Sequence, residues 1–166
     1  PDLKLAEIRR NVETRLRKVD EGEYDAIILA EAGLIRLELA DRISDRLSPP
    51  QMFPAVSQGA LGLECRRDDD RAIAALQSLD DSEAHDCVLA ERALLATLRA
   101  GCHAPLGAFS EISGDALTLG GVVLSLDGRE RVSAKVTGEL SSGAELGQQL
   151  AELLTEQGAD SLLSAE

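Results

Sequence analysis

The chain has 166 residues, 17 basic against 30 acidic, and a formal charge of −13 at pH 7. That length suits one ordinary domain or two small ones, and 44% hydrophobic residues is a globular composition. Strong acidity with only Tyr24, Phe53 and Phe109 as aromatics excludes a nucleic-acid binder and opposes attraction to anionic lipid; no apolar run approaches the ~20 residues of a membrane span.

Leu3 to Ile8 alternates apolar and polar residues, as a half-buried strand does. The pattern is already running at Pro1, which is not an initiator methionine, so the chain is expected to be a fragment. Asn11 reads as the N-cap of a helix over 12–19, with Val12, Leu16 and Val19 on one face. Asp20 to Glu23 stops it. Tyr24 to Ala30 reads as a buried strand, and a second helix is expected over 31–46, ended by Pro49 and Pro50. Strand, helix, strand, helix is the rhythm of an α/β sheet.

From Phe53 the character changes. Pro54 to Ala60 is a small-residue loop feeding a short apolar strand that ends at Cys65. Asp68, Asp69 and Asp70 read as a solvated turn capping a helix over 71–79. Asp80 and Glu83 have capping-box spacing for a longer helix, on which Ala84, Cys87, Val88, Glu91, Leu94, Leu95 and Leu98 share helical periodicity. Glu91 is the one charged member of that stripe. Gly101 is expected to supply the left-handed stop. Two alternating segments, about 116–126 and 130–139, flank Asp127-Gly128, a strong hairpin signal. A final amphipathic helix is expected over 142–157, and a domain break near 67–80.

Two features carry chemistry. Residues 9–18 hold Arg9, Arg10, Arg15, Arg17 and Lys18 against Glu13, a local +4 in an acidic chain. Arginine forks suit carboxylate or phosphate, and Arg9 and Arg10 stand at a strand end, where α/β sheets place ligands. A solvated helix face is the alternative reading, and Arg17 and Lys18 belong to it in either case. Arg36, beyond the second strand, is a weaker candidate. The second feature is Cys102, next to His103 on a loop held between Gly101 and Pro105. It reads either as a reactive loop thiol or as a small buried hydrophobe. Cys65 and Cys87 are expected in the core. An odd, widely spaced cysteine set argues against a disulfide framework and for a reducing cytoplasm. His85, Cys87, Cys102 and His103 lack metal-ligand spacing, so no metal is expected, and Gly59 to Gly62 lacks the Lys-Ser/Thr of a phosphate loop.

Three ordered segments resemble the porphobilinogen deaminase (hydroxymethylbilane synthase) family. Arg9-Arg10-Asn11-Val12-Glu13-Thr14-Arg15-Leu16 is similar to its Arg-Gly-Asn-x-x-Thr-Arg-Leu. Pro54-Ala55-Val56-Ser57-Gln58-Gly59 is similar to its Pro-Ala-x-Gly-Gln-Gly. Glu91-Arg92-Ala93 followed by Gly101-Cys102 is similar to its Glu-Arg-Ala and Gly-Gly-Cys. Three departures stand out: Arg10, Ser57 and Ala100 each replace a glycine.

The resemblance implies a transferase that condenses four porphobilinogen units, with loss of ammonia, on a dipyrromethane primer held by a thioether to Cys102. It implies that Arg9, Arg15 and Arg36 bind substrate and cofactor carboxylates and that Ser57, Gln58 and Gly59 form a cofactor loop. The family's catalytic aspartate would lie upstream of Pro1, leaving no catalytic residue in this chain and the fragment inactive alone. The implied fold is α/β: the second half of a periplasmic-binding-protein-like domain (1–50), a crossover toward an absent N-terminal domain (51–77), and a small α+β C-terminal domain (78–166). The implied partners are porphobilinogen and that N-terminal domain, in a cytoplasmic monomer. The alternative is a non-catalytic polycarboxylate-binding module of the same architecture.

Overall fold

Asn11 does start a helix. In the computed structural model, which describes residues 3–101 and 103–163, its Oδ1 accepts from Thr14 N–H at 3.0 Å and opens α1 (Val12–Asp20). Gly22, at φ 76°, closes α1: Glu23 N–H reaches back to Lys18 O and Gly22 N–H to Val19 O. The chain divides into two compact units, Pro1–Leu47 and Ser48–Glu166.

The first unit continues with α2 (Glu31–Arg36) and a single 3-10 turn (Ala40–Arg42). The helix expected over 31–46 therefore stops ten residues early. Glu38 takes a left-handed conformation (φ 60°), so Leu39 N–H bonds Leu34 O at 2.9 Å and Glu38 N–H bonds Ile35 O at 3.0 Å. This is a glycine-type helix stop built without glycine, which leaves no mark in the sequence. The strands expected at 3–8 and 24–30 have no ladder partner among the described residues. A strand exists only where a neighbour accepts its hydrogen bonds; Leu3, Leu5 and Ile28 accordingly stand 85%, 98% and 64% exposed. One bond ties the two segments together, Tyr24 Oη donating to Glu7 O at 3.0 Å.

The second unit holds α3 (Asp70–Gln77), α4 (Ser82–Thr97), strands β1 (Leu106–Ser113), β2 (Ala116–Leu124) and β3 (Arg131–Glu139), then α5 (Gly143–Glu156) and α6 (Ala159–Leu163). Asp69 caps α3, as expected. The cap of α4 is Asp81, accepting from Ala84 N–H at 3.0 Å, rather than Asp80 with Glu83. The strands form an antiparallel sheet in chain order. Asp127-Gly128 turns the β2–β3 hairpin, with Gly128 at φ 69° and Asp127 accepting from Ser125 Oγ and Arg129 N–H. Strand β1 and helix α6 were not anticipated. The strand expected before Cys65 does not form: Leu61 is 91% exposed and Cys65 is exposed rather than core.

Side chains alternate across the sheet. Leu117, Leu119 and Val123 of β2 and Ala108 of β1 point to one face and are buried against Leu94 of α4 and Leu150 and Leu154 of α5. Helices α4 and α5 approach closely at Gly147, where a Cβ would stand 2.5 Å from Ala90 O. The free edge of β1 is covered by the preceding loop: Ala55 bridges Gly107, and Ala108 N–H donates to Pro54 O at 2.9 Å. No helix among the described residues is long and apolar enough to cross a membrane.

Candidate functional site

In the first unit the arginines gather where the unpaired segment meets α1. Arg15, half-buried on α1, turns its side chain back so that Nε donates to Arg10 O at 2.7 Å. That bond fixes the base of the guanidinium and leaves its terminal nitrogens for a ligand. Arg9 is exposed and reaches Glu7 at 3.0 Å, a solvated pair of little strength. Arg10 adopts φ 106°, a conformation suited to glycine. Arg36 is exposed in the last turn of α2, and no described bond links it to Arg9 or Arg15. Arg17 and Lys18 are held elsewhere: Arg17 lies 3.6 Å from Glu21, and Lys18 bonds Glu23 at 2.6 Å over the Tyr24 ring. The hydrogen bond to Glu23 raises the Lys18 pKa. Both sit on the solvated face assigned to them.

In the second unit the loop with Ser57, Gln58 and Gly59 makes two consecutive turns, Gln58 N–H bonding Ala55 O at 2.9 Å and Ala60 N–H bonding Ser57 O at 3.2 Å. Two left-handed residues, Ser57 (φ 61°) and Gly59 (φ 87°), allow that reversal. Gln58 and Gly59 are exposed, and nothing lies within 4 Å of where a Gly59 Cβ would stand. The Ser57 hydroxyl is buried without a partner among the described residues.

The loop is not free to drift. Ser57 N–H donates to Glu91 Oε2 at 2.6 Å, and Ser110 Oγ of β1 donates to Glu91 Oε1 at 2.5 Å. Glu91 is the buried charged residue of the described chain. Sequence reasoning did not assign these two bonds to Glu91, although its place as a charged residue on an apolar stripe was the available signal. Cys87, one turn before it, is half-buried; burial pushes its thiol pKa up, opposed in part by a hydrogen bond with Ser110. A raised pKa leaves Cys87 a poor nucleophile at neutral pH.

Cys102 itself lies outside the described residues. The chain leading to it leaves α4 through Arg99, left-handed at φ 51°, with Ala100 N–H bonding Leu95 O at 3.2 Å. The stop is thus made two residues before the expected Gly101, because Arg99 occupies the position after the cap. On the far side Ala104 N–H bonds Gly101 O at 3.0 Å, shortly before β1 starts.

A groove of about 600 Å³ lies on the sheet face opposite the helices, lined among others by Pro50, Phe53, Phe109, Glu111, Arg131 and Lys135. None of the residues singled out above lines it. Its arginine is already engaged, with Arg131 donating to Pro50 O at 3.0 Å and lying over the Phe53 ring.

Two family models match the chain in succession. Residues 1–74 match porphobilinogen deaminase, dipyromethane cofactor binding domain, and residues 85–156 match porphobilinogen deaminase, C-terminal domain. The two matches occur in the order in which the arginine cluster, the Ser57 loop and the Glu91 helix follow one another. The chain belongs to the porphobilinogen deaminase family, the hydroxymethylbilane synthases, transferases of tetrapyrrole synthesis that work through a dipyrromethane cofactor.

Proposed function

We propose that this chain is the cofactor-bearing portion of a hydroxymethylbilane synthase, with dipyrromethane attached through Cys102. Arg9, Arg15 and Arg36 meet the carboxylates of the cofactor and of porphobilinogen, and the loop Ser57-Gln58-Gly59 lies against the cofactor. Dipyrromethane, when bound, supplies the primer onto which pyrrole units are joined with loss of ammonia. The residues present fit such a group. Each pyrrole carries an acetate and a propionate, and an arginine offers five N–H donors, of which Arg15 spends one on Arg10 O and Arg9 one on Glu7. The other donors stay open to carboxylates. Fixing Nε on a backbone carbonyl removes rotamer freedom from Arg15 before ligand arrives, which lowers the entropic cost of binding.

The observation that carries this reading is the backbone at two motif positions. Where the family pattern has glycine, Arg10 and Ser57 keep the positive φ that glycine would supply (106° and 61°). Both loops hold a glycine-type shape although the side chains differ, as expected if a ligand approaches their backbones. On this reading residues 1–50 are the latter half of a periplasmic-binding-protein-like α/β domain, 51–77 a crossover, and 78–166 the C-terminal domain. The partner is an N-terminal domain that carries the family's catalytic aspartate. Exposed Leu3, Leu5 and Ile28, on extended segments without ladders, support it, since such segments need strands from elsewhere to pair. The intact enzyme is a cytoplasmic monomer, and the chain alone is inactive.

Intact-mass measurement on the full-length protein tests the assignment. We expect the mass of a dipyrromethane adduct, absent in Cys102→Ser, and in Arg15→Ala a higher KM for porphobilinogen or a smaller loaded fraction. A full-length protein of unmodified mass that binds polycarboxylates without producing hydroxymethylbilane would instead establish a binding module.

A further inference from the structure

A buried carboxylate inside an apolar helix stripe is costly unless its oxygens are bonded. Glu91 satisfies both of its oxygens, and neither partner is on its own helix: Oε2 accepts from the Ser57 backbone and Oε1 from the Ser110 hydroxyl of β1. The Ser57 bond spans 34 residues of sequence. Ser57 is also left-handed, with a buried hydroxyl that has no partner among the described residues, so the loop has little intrinsic preference for this shape. We propose that Glu91 is a positioning residue, a clamp that fixes the Ser57-Gln58-Gly59 loop to α4, the helix that leads to Cys102, and so sets the loop's place relative to the cofactor.

The chemistry suits the role. A carboxylate accepting from a backbone N–H is a charge-assisted bond, stronger than a neutral one. The second bond, from Ser110, prevents the side chain from rotating away. The edge bonds Ala55–Gly107 and Ala108 N–H to Pro54 O hold the start of the loop and its own turn bonds shape it, while the Glu91 bond ties Ser57 to α4. Because the clamp rests on the proposed cofactor role of this loop, its test separates the two ideas.

Hydrogen exchange is measured on the full-length enzyme for peptides covering residues 55–60 and, as reference, β2 residues 117–123, in the wild type, Glu91→Ala and Glu91→Gln. Glutamine can accept from Ser57 N–H and donate to the Ser110 oxygen, so it rescues the geometry. We expect Glu91→Ala to speed exchange of 55–60 about tenfold or more with the reference unchanged, and Glu91→Gln to stay near wild type. Unchanged exchange of 55–60 in Glu91→Ala overturns the clamp, and so does equal acceleration of loop and reference. The loaded fraction is read on the same samples by intact mass. Loss of adduct in Glu91→Ala, restored in Glu91→Gln, supports clamp and cofactor loop together. A loosened loop with full loading and unchanged kcat and KM upholds the clamp as a structural bond and overturns its bearing on the cofactor.

Discussion

Ser57 combines two unfavourable features at one position. Its Cβ is held at φ 61°, a left-handed conformation that costs an L-residue ~1–2 kcal/mol, and its buried hydroxyl has no partner among the described residues. Glycine removes both while keeping the backbone N–H that Glu91 accepts. Part of the gain is returned as chain entropy in the unfolded state, about 0.5–1 kcal/mol. Ser57→Gly is therefore expected to stabilise the second unit by about 1 kcal/mol, and Ser57→Ala by less, because alanine keeps the strained Cβ. Urea denaturation of the three proteins checks the order, and a Ser57→Gly midpoint at or below wild type contradicts it. Arg10, at φ 106°, follows the same logic in the other unit. Both strained residues sit in the segments proposed to meet the cofactor, and natural chains tolerate strain at functional sites.

The α4–α5 contact shows how closely two elements meet. Gly147 of α5 has no room for a methyl: its Cβ would stand 2.5 Å from Ala90 O and 2.6 Å from Ala93 Cβ, and a helix backbone cannot step aside cheaply. Gly147→Ala is expected to destabilise the second unit by about 1–3 kcal/mol, read as a lower urea midpoint with an unchanged slope. A midpoint within error of wild type would mean that the helices have slack there. Elements of both units were legible where a local signal existed. Asn11, Asp69 and the Asp127-Gly128 turn announced themselves, because short polar side chains and glycine have few alternative uses. Two helix stops were not legible, since Glu38 and Arg99 take left-handed positions that sequence assigns to glycine. The segments at 3–8, 24–30 and 61–65 carried the pattern of strands but lack the neighbours that make one, and pairing is a property of two segments rather than of one. For the proposed site, composition drew attention to the arginine cluster and motif to the Ser57 loop. Glu91 was visible only as an anomaly, because its partners lie 34 and 19 residues away.

Charge and burial divide the whole chain unevenly. Pro1–Leu47 carries nine Lys and Arg against eleven Asp and Glu, a net of −2, so −11 of the −13 resides on Ser48–Glu166. The nearly neutral unit is the one that presents Arg9, Arg15 and Arg36, and a polycarboxylate approaching them meets little repulsion from that unit itself. Burial runs the other way. Leu94, Leu117, Leu119, Leu150 and Leu154 are fully buried in the second unit, whereas the buried apolar side chains of the first, among the described residues, are Leu16 and Leu34. Each fully buried leucine contributes about 1.5–3 kcal/mol, so the first unit has little to set against the entropy of ordering its chain. In the 166-residue protein, hydrogen exchange along a urea titration is therefore expected to show 12–36 losing protection well before 117–123 and 146–154. Trypsin should cut first near Arg9, Arg10 and Arg15. One coincident transition for all three segments would contradict this. If Leu3, Leu5 and Ile28 belong under strands of an N-terminal domain, the full-length enzyme will show 12–36 protected to the same urea concentration as β2; the gap between the two titrations then measures what that domain contributes to the arginine-bearing unit.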